Sequence, residues 1–158
     1  MSDPVHVAFL MQTEGFRTDA YCLSPSSYPN SGVTIGVGVD LGSKTVASLT
    51  SAGVSQSVVS QLTRYLGLKG QAACNAVTAY RVVLSQADAL DLSAKMIATY
   101  ANQITSWYNR DKAANAKTFS ALTCAQRTII VDVLYQYGSV QVIFYLVLIL
   151  AWLKLFCN

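Results

Sequence analysis

The chain has 158 residues, with 11 Lys plus Arg against 8 Asp plus Glu, 53% hydrophobic residues and 12% charged ones. That is one domain's worth of chain at about 100–200 residues per domain, and so apolar and weakly charged a composition excludes intrinsic disorder. The basic residues are scattered singly from Arg17 to Lys154, which argues against a nucleic-acid interface, and the lone histidine, His6, excludes a His-rich metal site; no metal and no other cofactor is expected.

Ser2-Asp3-Pro4 marks a helix start, a capping side chain followed by proline in the first turn. Val5, Ala8, Phe9 and Gln12 follow on one side, and Gly15 supplies a stop, so a helix is expected over about 4–14. It places Glu14, the chain's one glutamate, at the C-terminal end, where the helix dipole disfavours a carboxylate and should raise its pKa. The opening residues lack a basic region, an apolar stretch and a small-residue cleavage site. No secretory signal is read, and synthesis in the cytoplasm is expected.

Residues 16–23 read as a short extended piece, and Ser24 to Gly32 as a loop rich in turn formers. In 33–41 the odd positions Val33, Ile35, Val37, Val39 and Leu41 are all aliphatic, while the even ones are Thr34, Gly36, Gly38 and Asp40. Alternation of this kind predicts a strand with one face on a core. The other face is a hydroxyl, two bare glycines and a carboxylate, which suits either a cleft wall or an edge hairpin with no ligand.

Helices should then follow. A short one is capped by Ser43 and ended by Gly53, the next covers 55–66 and closes at Gly67, and a third covers 71–84. Ser85-x-x-Asp88 resembles a cap opening a long helix to about Trp107, with Ala89, Leu92, Met96, Ile97, Tyr100 and Ile104 at helical spacing. Thr123-x-x-Gln126 is a capping box before a last helix that should stop at Gly138. Tyr100, Trp107 and Tyr135 are read as core residues. The four cysteines, Cys22, Cys74, Cys124 and Cys157, form no C-x-x-C and are read as free thiols, with one disulfide as the alternative. From Val142 to Leu153 runs an unbroken apolar stretch, shorter than the roughly 17–25 residues of a membrane span. It suits a buried helix, a poor membrane anchor or a C-terminus altered by truncation or a change of frame.

Nucleotide and serine-hydrolase chemistry find little support. In GVGVDLGSK no glycine directly precedes Lys44, so it is not a phosphate loop, and it misses the dinucleotide fingerprint by one spacing. No G-x-S-x-G is present. What remains is Glu14, Thr34 and Asp40. Two carboxyls and a hydroxyl suit glycoside hydrolysis, one carboxyl donating a proton to the leaving oxygen and the other, as carboxylate, activating water.

Glu14-Gly15-Phe16-Arg17, then Tyr21, then Gly32-Val33-Thr34-Ile35-Gly36-Val37-Gly38 resemble the phage-type lysozymes. The longer TIGVGVDLG, with Asp40 six residues after Thr34, is more similar to the pesticin-type muramidase toxins. Leu122 to Gly138 resembles the central helix of the C-terminal lobe of these enzymes, and the likeness covers about residues 8–42 and 119–138.

The resemblance implies one α+β, lysozyme-like domain over 1–158, with a small β-hairpin lobe and a larger helical lobe. The catalytic β lobe with its N-terminal helix would span about 1–52, the helical lobe about 53–138, and 139–158 would be an atypical apolar tail. It implies cleavage of the β-1,4 bond between N-acetylmuramic acid and N-acetylglucosamine in peptidoglycan. By motif, Glu14 is the proton donor, Thr34 orients the attacking water, and Tyr21, Gly36, Gly38 and Gln136 line the substrate. In the phage enzymes a catalytic Asp follows the tyrosine by two residues, but Leu23 stands there. Asp40 fits the toxin pattern instead, and Asp19 is a competitor without motif support. Six residues of straight strand would separate Thr34 from Asp40 by about 20 Å, so the assignment requires a bend at Gly36 or Gly38. Inversion further requires the Glu14 and Asp40 carboxyls to stand about 6.5–9.5 Å apart.

The implied partners are the glycan strands of peptidoglycan and an immunity or delivery protein, with membrane contact through the tail and no nucleic acid. The implied place of action is the periplasmic or cell-wall peptidoglycan, after release or delivery. The alternatives are a catalytically inactive relative that binds glycan or a partner, and a membrane-acting toxin using the tail.

Overall fold

A computed structural model of the chain describes residues 15–137, with the backbone alone over 133–137. The expected helix over 4–14, with His6 and Glu14, lies outside the described residues, as do Gly138, Cys157 and the apolar stretch from 142. The described residues fall into two compact units, one up to Thr99 and one from Tyr100 onward. The boundary expected near residue 52 falls inside the first.

The first unit opens with a three-stranded antiparallel sheet in the order β1-β2-β3, formed by Arg17–Cys22, Val33–Gly36 and Val39–Asp40. Residues 33–41 are therefore two strands and a turn, where the alternation alone suggested one strand. After a 3-10 turn at Leu41–Ser43 come α1 (Val46–Ser51), α2 (Gln56–Leu62), a 3-10 turn at Thr63–Tyr65, and α3 (Gly70–Ala79). The long helix α4 (Gln86–Asp111) begins in this unit and runs past Thr99.

Capping chemistry explains the helix starts. Thr45 caps α1, not Ser43, because Thr45 and Ser48 each accept the other's backbone N–H, at 3.1 and 2.9 Å. Ser55 accepts from Val58 N at 3.3 Å at the start of α2. Ser85 accepts from Asp88 N at 3.0 Å at the start of α4.

The third helix stops at Ala79, five residues short of its expected end. The chain then runs extended along the outer edge of β1, where Ala20 N donates to Val82 O at 3.0 Å and Leu84 N to Thr18 O at 2.9 Å. Val82 and Val83 are β-branched and suit this extended path, and on the edge of β1 the Ala20 amide gains an acceptor and the Thr18 carbonyl a donor.

The core of this unit joins Ala20, Val33, Ile35, Val39 and Leu41 from the sheet region to Leu49, Val58, Val59, Leu62, Tyr65, Ala73, Leu84, Ala89, Leu92 and Met96 from the helices and their connections. A disulfide, Cys22–Cys74, links the end of β1 to α3 with 5.2 Å between the Cα atoms. It replaces the free thiols expected for those two residues. Cys22 pairs with Val33 in the ladder, so this covalent link sits where the sheet meets the helices.

In the second unit, α4 continues to Asp111 and α5 covers Cys124–Tyr137. Thr123 and Gln126 form the expected capping box, with Gln126 N donating to Thr123 Oγ1 at 3.2 Å and Thr123 N to Gln126 Oε1 at 2.9 Å. Ala101, Ile104, Phe119 and Val131 are buried. Phe119 meets Tyr108 edge to face, and its amide donates to Asn109 Oδ1 at 2.8 Å. Tyr100 and Trp107 are half-buried and not full core residues. No helix among the described residues is long and apolar enough to cross a membrane.

Candidate functional site

The turn between β2 and β3 brings together two of the expected site residues, Thr34 and Asp40. Gly36 and Gly38 have φ of 67° and 65°, a region that side chains with a Cβ rarely enter. The chain reverses through Val37 and Gly38, and Thr34 becomes the direct cross-strand partner of Asp40. On its other side Thr34 pairs with Tyr21 of β1. Opposite residues in an antiparallel ladder stand about 4.5–5.5 Å apart at Cα and share one face. Tyr21, Thr34 and Asp40 thus form one row across the sheet. The odd positions behave as the alternation predicts: Val33, Ile35, Val37 and Leu41 are 0% exposed and Val39 2%.

Asp40 is held by its neighbours. Its Oδ1 accepts from Gly42 N at 2.6 Å and from Gly32 N at 3.1 Å, and its Oδ2 accepts from Gly32 N at 3.1 Å and from Ser31 Oγ at 3.4 Å. It is also the N-cap of the 3-10 turn at Leu41–Ser43. The approach is close enough that a Cβ on Gly32 would overlap Gly42 and the Asp40 carboxylate. The segment before α3 completes the frame, with Gly67 N donating to Leu41 O at 3.1 Å and Gly70 N to Ser31 O at 2.8 Å. An ionised carboxylate offers about four acceptor positions. Both oxygens are engaged, Oδ1 by two amides and Oδ2 by the Gly32 amide and the Ser31 hydroxyl, the Ser31 contact being the longest of them.

The face with the even positions is not the bare glycine-lined wall that the sequence suggested as one alternative. Thr34 is only 6% exposed. Gly36 is buried beneath α4, where a Cβ would overlap Ser93 Oγ and stand 3.2 Å from Ala89 O. Gly38 and Asp40 are half-buried. The glycines shape the chain path, and Gly36 meets protein where a sugar was expected.

Along β1, the Arg17 guanidinium lies 4.6 Å from the Tyr21 ring centroid and pairs with Asp19 at 2.6 Å. The hydrogen bonds from Arg17 hold the Asp19 carboxyl below the usual carboxylate range. Asp19, the competitor for the second carboxylate, is therefore occupied by a surface ion pair. Glu14 lies outside the described residues, so its separation from Asp40 does too, and Gln136 is described only as backbone in the last turn of α5. Among the described residues no three His, Cys, Asp or Glu groups gather as metal ligands would.

Four contributors escape a reading by pattern: Ser31 and Gly32 over Asp40, Ser93 over Gly36, and the Cys22–Cys74 link. Ser31 and Gly32 sit in a stretch whose composition says only loop. Ser93 could have been noticed as the polar residue beside Leu92 on an otherwise apolar helical face.

The family model described as Pesticin, a bacterial toxin homologue of phage lysozyme (C-terminal part), matches residues 4–144. No curated protein is similar enough to the chain to match it. The match covers most of the chain, which therefore belongs to this family, and its α+β architecture is of the lysozyme-like class.

Proposed function

We propose that this member of the Pesticin family is a muramidase that hydrolyses the β-1,4 bond between N-acetylmuramic acid and N-acetylglucosamine of peptidoglycan. The observation that carries the reading is the pairing of Thr34 with Asp40 across the β2-β3 turn, with Tyr21 flanking Thr34. A hydroxyl beside a carboxylate can hold one water and aim it. Thr34 Oγ1 donates to or accepts from the water, and Asp40 Oδ2 takes its proton as it attacks the anomeric carbon. Glu14 supplies the proton to the departing oxygen, so one carboxyl gives and the other receives, the pattern of an inverting glycosidase. Tyr21 and Gln136 contact the sugars, and Gly36 and Gly38 act through the turn they allow. The chain is made in the cytoplasm and acts on the cell wall after release or delivery. Its partners are the glycan strands and an immunity or delivery protein, with the tail available to the membrane.

Clearing of a cell-wall suspension and release of new reducing ends test this. Glu14→Gln removes the proton while keeping shape, and should lower the rate by about 10²–10⁴ with the far-UV spectrum and melting temperature unchanged. Unimpaired clearing by that variant sinks the assignment.

A second reading rests on the bonds that Asp40 already makes. Two backbone amides and a capping role are a sufficient structural reason for an aspartate there. On that reading the chain is a catalytically silent relative that binds glycan, and the wild-type protein would sediment with purified peptidoglycan yet release no reducing ends.

A further inference from the structure

Ser93 lies within α4, between the apolar residues Ala89, Leu92 and Met96 that pack into the core of the first unit, and is itself 0% exposed. Its hydroxyl donates to Ala89 O, one turn back, at 2.7 Å. That bond alone satisfies the hydrogen of a helical serine. The oxygen does more, accepting from the Val37 amide at 3.0 Å across a separation of 56 residues. Val37 directly follows the end of β2 and is the first residue of the turn to β3. On the adjoining residue, Gly36, a Cβ would overlap the same oxygen. A hydrogen bond and a steric stop therefore meet at one atom, the first drawing the turn toward α4 and the second limiting its approach.

The consequence reaches the candidate site because the turn is short. Thr34 lies two residues before Gly36, and Asp40 three after Val37, in strands joined only by Val37 and Gly38. A shift of the turn against α4 moves both strands. We propose that Ser93 is a positioning residue, its hydroxyl fixing the depth at which the β2-β3 turn docks on α4 and hence the aim of Thr34 and Asp40. This rests on the muramidase reading. It extends the site to a helix that no catalytic motif marks, and it gives a reason for a hydroxyl where burial alone would favour alanine.

The test compares Ser93→Ala with Ser93→Thr, whose Oγ1 can make the same bond to the carbonyl one turn back. Each is measured for reducing-end release, for melting temperature and for hydrogen exchange at the Val37 amide. Ser93→Ala should lower kcat by about tenfold to a hundredfold, the scale of a small misplacement of reacting groups, with KM within about twofold of wild type. Its Val37 amide should exchange faster, and Ser93→Thr should restore most of both. The proposal is overturned if Val37 exchange is unchanged in Ser93→Ala, if kcat is unchanged while that exchange quickens, or if Ser93→Thr shows the same loss as Ser93→Ala. Should Ser93→Ala not fold, Ser93→Cys keeps a side chain there while weakening the acceptor and takes its place in the comparison. If the wild-type protein opens no glycosidic bond, the muramidase reading fails separately. Ser93 is then judged by Val37 exchange alone, faster exchange supporting its hold on the turn and unchanged exchange refuting it.

Discussion

The two sides of the ribbon from Gly32 to Gly42 are held in place by different physics. On one side Val33, Ile35, Val37, Val39 and Leu41 are buried, and any aliphatic side chain of similar volume would serve there. On the other, Gly32, Gly36 and Asp40 are fixed by directional bonds and close approaches that tolerate no such exchange, and Thr34 is placed by its pairing with Tyr21 and Asp40. The first side sets stability and the second sets geometry. Perturbing the aliphatic side should therefore unfold the protein, whereas perturbing the polar side should silence it while it stays folded.

The largest effect belongs to the aliphatic side. The Cys22–Cys74 link joins residues 52 apart, and closing a loop of that size stabilises a fold by about 4 kcal/mol in the chain-entropy model. Reduction, or a Cys22→Ser/Cys74→Ser pair, should lower the denaturation midpoint accordingly, read by urea unfolding with and without reductant. A midpoint that ignores reductant would show that burial alone holds β1 to α3. Next is Ile35→Ala, which empties a fully buried position and should cost about 2–5 kcal/mol, measured in the same titration.

The polar side separates activity from stability at a single residue. Asp40→Asn keeps Oδ1 as acceptor for the Gly32 and Gly42 amides and a good cap but sets an NH2 against Gly32 N in place of Oδ2, so stability should fall by about 0.5–1 kcal/mol. It abolishes the proton acceptor, and reducing-end release should fall by about 10²-fold or more. Asp40→Ala should be as inactive and also less stable, by about 1–2 kcal/mol, for want of the cap. Equal release of reducing ends by wild type and Asp40→Asn would leave Asp40 a purely structural clamp, and no release by either would favour the silent-relative reading.

The same contrast decides what could be read from sequence. The aliphatic positions announce themselves by period, and the helix starts at Ser55, Ser85 and Thr123 by their capping side chains, because both signals are local. The reversal at Val37–Gly38 was needed by the Thr34–Asp40 assignment, but alternation alone gave one strand, since a two-residue turn leaves the period intact. Val82 to Leu84 reads as helix from its sequence, because its place along β1 depends on Thr18 and Ala20, more than sixty residues earlier. The clamp of Ser31 and Gly32 on Asp40 is made from a loop, and that of Ser93 on Val37 across 56 residues, and neither leaves a periodic trace. Thr34 and Asp40 are legible in the motif, whereas what holds them is legible only in the fold.

The smallest effect lies where a polar tip enters the aliphatic side. Tyr65 is a fully buried core residue whose hydroxyl donates to Tyr80 O. Tyr65→Phe keeps the ring and loses that bond, which should cost about 1 kcal/mol at neutral pH. Burial raises the Tyr65 hydroxyl above its ordinary value of 10.0, because the folded state favours the neutral phenol. The contribution is therefore complete below the unfolded value and is lost as pH rises through the folded one. Wild-type stability should fall above about pH 10 more steeply than that of Tyr65→Phe, and the gap between the two should close. The other tyrosines are common to both proteins and cancel in the difference. Parallel curves would mean that Tyr65 titrates alike in the folded and unfolded states, so that the fold gives its hydroxyl no preference for the neutral form.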